Sequence, residues 1–270
     1  MRHRHLPISW CDVRNNLLND GVGLALLGTL LMLSVAPVNA GFPLSTEDTG
    51  TLGLGRSKIE LTIERGTDRV QGVHERGIVQ ETAFVHGLLG NLNGALTLPY
   101  RDVRSDEAGG THAHGVSDAK LGVKWRYFEQ QGLSLGLKSV LTLPTGTAAA
   151  QLGNGKATQA VNAITSYESG PWEFDLDLGY KRNGNTLNQR EHLSSVSVAL
   201  VRNFDSRWKV MADMGVASNK NKVSNQAPVY LGAGLSFAMT KAVVLNLGVK
   251  QALSSVETDF TGLAGLELHF

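Results

Sequence analysis

Trp172-Glu-Phe-Asp-Leu-Asp-Leu-Gly-Tyr-Lys181 decides how the rest of the chain is read. Its even positions are apolar or aromatic, and its odd positions are Glu173, Asp175, Asp177, Gly179 and Lys181. Alternate residues share one side only in an extended chain, so this is a strand with an apolar face and a charged face. The same period recurs in Asp118–Tyr127, where Ala119, Leu121, Val123, Trp125 and Tyr127 oppose Asp118, Lys120, Lys124 and Arg126. In Gly132–Leu143, Leu133, Leu135, Leu137, Leu141 and Leu143 share a register that only Ser139 interrupts. Val243, Leu245, Leu247 and Val249 oppose Asn246 and Lys250 further on.

Runs of this kind predict about twelve strands, near 57–65, 77–87, 91–100, 116–127, 132–143, 157–168, 171–182, 193–203, 207–218, 228–239, 241–253 and 258–270. Short connections (88–91, 128–132, 169–171, 205–207 and 240) alternate with longer polar ones (66–76, 101–115, 144–156, 183–192, 219–227 and 254–257). Sorting of turns to one end and loops to the other is a property of barrels that cross a membrane. Aromatics fall at strand ends. Tyr127, Phe128, Tyr167, Trp172, Phe204, Trp208 and Phe237 lie near the short turns, and Tyr100, Tyr180, Tyr230 and Phe260 near the long loops. Two such belts flanking a Leu/Val/Ala band are the interfacial girdles of a barrel in lipid. A soluble sandwich or lipocalin-like barrel would use the same alternation with its apolar face inward.

The whole chain, 270 residues with one Cys and 31 Gly, fits that architecture. Residues 1–40 read as an export signal: Arg2, Arg4 and Arg14, then the apolar run Gly21–Val35, then Val38-Asn-Ala40 with cleavage expected near Ala40. Cys11 leaves with that leader, which excludes a disulfide scaffold and thiolate zinc. The loss of three Arg and two Asp leaves 22 basic and 22 acidic side chains, so nothing marks a nucleic-acid partner. The expected organisation is a signal peptide over 1–40, an N-terminal periplasmic segment over 41–56 and an outer-membrane barrel over 57–270. The fold class is all-β, a single transmembrane antiparallel barrel with periplasmic turns and extracellular loops. Closure requires the first and last strands to pair, because open backbone groups in hydrocarbon cost several kcal/mol each.

Several pieces together are similar to one family. They are Gly115-Val-Ser-Asp-Ala-Lys-Leu-Gly-Val-Lys-Trp-Arg126, Ser139-Val-Leu-Thr-Leu-Pro-Thr-Gly146, Leu152-Gly-Asn-Gly155, the alternating Trp172–Tyr180 and the terminal Phe270. Over about residues 50–270 the chain resembles the outer-membrane barrel family named for the meta-pathway of phenol degradation. The resemblance implies a Gram-negative outer-membrane protein that passes aromatic or other small hydrophobic compounds. It brings no catalytic or binding residues. A last strand ending in Phe270 also looks like the signal read by the outer-membrane assembly machinery.

The polar registers place Lys58, Glu60, Glu64, Asp118, Lys120, Lys124, Arg126, Lys138, Glu173, Asp175, Asp177, Lys181, Lys209, Asp213, Lys250, Glu267 and His269 toward the lumen. They form either a charged pathway or a cross-strand ion-pair network that fills the barrel. Glu173, Asp175 and Asp177 are expected to neutralise Lys120, Lys124 and Arg126. No cofactor is expected. His112-Ala-His114 lacks carboxylate or thiol neighbours at ligand spacing. Gly153-Asn-Gly155-Lys156 lacks the first glycine and the helix of a phosphate loop. His192 and Ser194, two apart on one strand face, are the only candidates for a lipid hydrolase on the barrel wall. The function expected is therefore passive passage of small solutes, not catalysis, with loops 101–115 and 144–156 as the constriction. The alternatives are a hydrolase and a plugged structural or adhesion barrel.

Overall fold

A computed structural model describes residues 41–70, 73–105 and 112–270. The export signal expected over 1–40 lies outside the described residues. Among the described residues thirteen strand segments form one antiparallel sheet: β1 (Ser57–Val70), β2 (Val73–Leu89), β3 (Leu92–Ser105), β4 (His112–Val116), β5 (Lys120–Gln130), β6 (Leu133–Thr142), β7 (Thr158–Ser169), β8 (Trp172–Arg182), β9 (His192–Asn203), β10 (Trp208–Ala217), β11 (Val229–Ala238), β12 (Val243–Ala252) and β13 (Phe260–His269). β4 and β5 both pair with β3, so they are two pieces of one crossing and the barrel has twelve. Each strand pairs with its chain neighbours, and β1 pairs with β13 from Lys58↔His269 to Thr67↔Phe260. Ser57 and Phe270 exchange both backbone hydrogen bonds, at 2.8 and 2.9 Å, and shut the seam at its base. The expected closure is present.

The apolar register faces out. Leu121, Leu176, Val198, Leu231 and Leu247 are all exposed on the outer wall, Leu247 at 58%. On β8 the pattern alternates residue by residue: Glu173, Asp175 and Asp177 are buried, and Phe174, Leu176 and Leu178 are exposed. Buried charge with exposed leucine inverts a water-soluble domain and matches a wall solvated by lipid.

Four expectations are corrected by the structure. Residues 66–70 and 73–76, expected as loop, are strand. β1 and β2 continue as a ladder through Gly66↔Gly77, Thr67↔Arg76 and Asp68↔Glu75 up to Val70↔Val73, and β3 and β4 likewise pair through Arg101↔Gly115 and Arg104↔His112. A membrane crossing needs only about 9–11 residues per strand, so these 14- and 17-residue strands project beyond it as hairpins. Tyr230 belongs to no outer girdle. β11 turns it inward with Gly232 and Gly234, and its hydroxyl donates to Asp213 at 3.1 Å. Asp118 is not on a continuous strand wall either. It sits in the break between β4 and β5, where its carboxylate accepts from Gly146 N (2.9 Å) and Asn154 N (2.7 Å) and folds loop 144–156 over the break.

The fourth correction concerns residues 41–56. Residues 53–56 stay beside the short turns, and 41–52 turn back and run inside the barrel. Gly53 and Gly55, with φ of 85° and 73°, reverse the chain beside the short turns. There Gly55 N donates to Gly87 O and Gly87 N to Arg56 O, both at 2.8 Å. Such positive φ values carry a steric cost for any residue with a Cβ. Upstream of this reversal Leu44, Thr46, Asp48 and Thr49 are all at most 3% exposed. At the opposite rim Arg190 bonds Asn221 O, Ser224 O and Asn225 Oδ1, which ties the loops after β8 and β10 together.

Candidate functional site

The lumen is a site built from two opposed walls and the segment between them. β5 and β6 supply Lys124 and Lys138 through the inward register that starts at Lys120. β7, β8 and β10 supply Ser166, Asp175, Asp177 and Asp213. The inserted segment meets each wall with the complementary group. Its carboxylates face the lysines: Glu47 pairs with Lys138 and lies 3.6 Å from Lys124, and Asp48 lies 3.1 Å from Lys124. Its amides face the acids. Ser45 N (2.8 Å), Thr46 N (3.0 Å) and Thr46 Oγ1 (3.1 Å) all donate to Asp213 Oδ2, and Glu47 N donates to Asp177 Oδ2 at 3.4 Å. Thr49 N donates to Ser166 Oγ at 3.1 Å, and that hydroxyl in turn donates to Asp175. Hydrogen bonds to ionised acceptors are about twice as strong as neutral ones, so this segment is held by charge as well as by shape.

Shape comes from missing side chains. Gly234, Gly248 and Gly265 sit on three neighbouring strands, Gly234 opposite Gly248. A Cβ on Gly248 would lie 2.7 Å from Pro43 Cβ, and one on Gly265 would lie 2.7 Å from the Phe42 ring. The three glycines therefore form the socket for Phe42-Pro43. Leu44 packs on Ala199, Val201 and Met211, a small apolar patch on the inner wall. Cavities of about 200 and 70 Å³ flank the segment among the described residues. Glu47 and Lys138 line both, so their ion pair stands between the two spaces.

The other inward residues pair among themselves. Lys120 bonds Glu81 at 2.7 Å. Lys58 bridges Glu60 (3.1 Å) and Glu267 (3.0 Å), and Glu267 also accepts from Asn246 Nδ2 at 3.0 Å. His269 lies 3.1 Å from Glu267. Glu64 is buried on β1 and lines both cavities. Lys250 lies 3.5 Å from Glu257 and over the Tyr230 ring. Lys181 is buried and Lys209 half-buried. Arg126, next to the short turn, pairs with Glu129 at 3.2 Å. The expected direct neutralisation of Lys120, Lys124 and Arg126 by Glu173, Asp175 and Asp177 is replaced by these pairs, with the inserted segment as intermediary. Sequence reasoning missed the segment because its hydrogen-bond partners lie 39 to 168 residues away. The three inward glycines were its only trace.

The motifs set aside in the sequence stay outside the lumen. His112 bonds Asp102 at 3.1 Å, and among the described residues no group of three His, Cys, Asp or Glu side chains can hold a metal ion. Gly153 packs against the Asp118 carboxylate. His192 Nδ1 shares a hydrogen bond with Tyr180 Oη at 2.6 Å, and Ser194 N donates to Ser218 Oγ at 3.0 Å.

A closed twelve-crossing barrel with a lipid-facing apolar wall and a charged lumen is an outer-membrane β-barrel. The chain belongs to the family described as "Putative MetA-pathway of phenol degradation", whose model matches residues 44–270. Among solved structures it is similar to the COG4313 outer membrane channel from Pseudomonas putida F1, with 15% identity, TM-score 0.72, and coverage of 84% of this chain and 100% of that one. It is also similar to the KdgM porin (8% identity, TM-score 0.55, 79% and 99% covered). The β domain of the Bordetella autotransporter BrkA is a third likeness (14% identity, TM-score 0.55, 80% and 100% covered). At these identities the likenesses establish the fold. No curated protein matches the sequence.

Proposed function

We propose that this protein is an outer-membrane channel for small solutes and that residues 41–52 hold it closed. The observation that carries this reading is the reciprocal fit of the segment. Glu47 and Asp48 answer Lys124 and Lys138, and its amides answer Asp177 and Asp213. The segment is covalently continuous with the barrel through residues 53–56, where Gly53 and Gly55 reverse the chain, and all its other ties to the wall are non-covalent. With the segment withdrawn, the inward charges line a water-filled path that lowers the cost of crossing the apolar slab. The family and the channel among its structural likenesses support the same reading, and aromatic or other small organic compounds are the solutes proposed. The lumen-facing residues above are proposed to set permeability, and the strand ending in Phe270 to be the part read by the assembly machinery.

Planar-bilayer conductance and liposome swelling test this. The chain from Gly41 is expected to conduct little, and the same chain lacking 41–52 to conduct steadily and to pass solutes graded by size. If neither conducts while both migrate as folded barrels, the channel reading fails and the plugged structural barrel replaces it. The hydrolase reading has less support, since His192 is engaged by Tyr180 on the outer wall.

A further inference from the structure

The lysines that the inserted segment occupies are the feature this inference starts from. Lys124 Nζ contacts the Asp48 carboxylate at 3.1 Å, the Asp48 carbonyl at 3.0 Å and Glu47 at 3.6 Å. Lys138 pairs with the same Glu47 carboxylate. One carboxylate is thus shared by two ammonium groups from adjacent strands, which stand opposite each other in the β5–β6 register. Both lysines keep some exposure, 18% and 25% at the side chain, toward the 200 Å³ cavity that they line. That space is of the order that holds a single aromatic ring, since a cavity of about 150 Å³ binds benzene.

We propose that Lys124 and Lys138 are a binding site for the carboxylate of a small organic acid in transit, and that Glu47 and Asp48 imitate that solute in the closed state. The inference rests on the channel reading, since the solute enters only as the segment yields. Charge sets the class further. The facing wall carries Glu173, Asp175 and Asp177, all at most 5% exposed, so a second negative charge at the far end of the solute meets repulsion. The site therefore selects monocarboxylic acids over dicarboxylic acids and over uncharged analogues of the same size. Nothing covalent is involved. A solute carboxylate replaces a protein carboxylate on the same two ammonium groups.

Salicylate, which is fluorescent, serves as probe on the full chain from Gly41 folded in detergent. The variant E47A/D48A vacates both lysines and leaves the Ser45, Thr46 and Thr49 hydrogen bonds in place. It is expected to bind salicylate at least about tenfold more tightly than the parent, the change that one charge-assisted hydrogen bond provides. Adding K124M and K138M removes that gain, and adding K124R and K138R retains it, which separates a charge role from a fold defect. Benzoate displaces salicylate, and terephthalate and phenol do not. Equal binding with and without the two lysines, or terephthalate competing as well as benzoate, overturns the proposal. Binding through the lysines without solute flux in the chain lacking 41–52 leaves the site standing and overturns the channel reading instead.

Discussion

Replacing Asp213 by alanine is expected to free residues 41–52 from the lumen. Asp213 Oδ2 accepts from Ser45 N, Thr46 N and Thr46 Oγ1, and its fourth donor, Tyr230 Oη, belongs to the wall. The net contribution of each bond is about 1 kcal/mol, so the three bonds to the segment amount to roughly 3 kcal/mol. At about 1.4 kcal/mol per tenfold, this raises the released fraction by roughly a hundredfold. The assay uses a single thiol. Cys11 is the sole cysteine of the sequence, so a chain from Gly41 carrying Leu44→Cys has one reactive site, at a position only 2% exposed. The three bonds from Ser45 and Thr46 to Asp213 remain in that reference protein. Maleimide labelling at position 44 should accelerate by about two orders of magnitude in the Asp213→Ala background. Unchanged labelling in Asp213→Ala, with a folded barrel on heat-shift electrophoresis, refutes the argument that this carboxylate anchors the segment.

Gly265→Val puts a Cβ 2.7 Å from the Phe42 ring, so liposome swelling should rise above the parent; parental rates in a folded barrel would remove the glycine socket from the account. Asp118→Ala removes the acceptor for Gly146 N and Asn154 N, at a cost of about 2 kcal/mol. Tryptic cleavage at Lys156 should then quicken by tenfold or more while the barrel core survives, and an unchanged digest contradicts the clamp. In the turn before β10, backbone N–H donation from Arg207 and then Trp208 holds the Asp205 carboxyl below the ordinary carboxylate value. A lowered folded-state pKa means the turn's gain is complete above the unfolded value and is lost as pH falls through the folded one. A carboxyl NMR titration should place its midpoint below about 3.9, and a midpoint at or above that value contradicts the turn geometry.

The strands were legible because lipid and lumen impose a period of two on every crossing, and Glu173, Asp175 and Asp177 keep it without exception. That rule stops short of the true ends of β1 and β2. Beyond the membrane both faces of a hairpin meet water, so residues 66–70 and 73–76 pair without alternating. Tyr230 misled because aromatics at strand ends are common on both faces, and only the neighbour's Asp213 decides which one. Asp118 fits the inward register arithmetically, yet the strand breaks there because its carboxylate is worth more to the folded loop amides of Gly146 and Asn154. The segment over 41–52 has no periodicity at all. Its conformation is dictated by partners on every strand from β5 to β13, and a linear reading contains none of them.

The ring closes only where β1 meets β13, from Lys58↔His269 to Thr67↔Phe260, with Ser57 and Phe270 bonded at the base of the seam. Until those two strands pair, the sheet is an open trough. The tether that leads to residues 41–52 begins at that very gap, so the tail can be laid along the trough before the gap shuts, and no narrow opening has to be threaded. The geometry also works in reverse. Once the ring is shut, the tail can slide out past the rim by giving up its own contacts, while the staves of the cask keep every backbone bond they share.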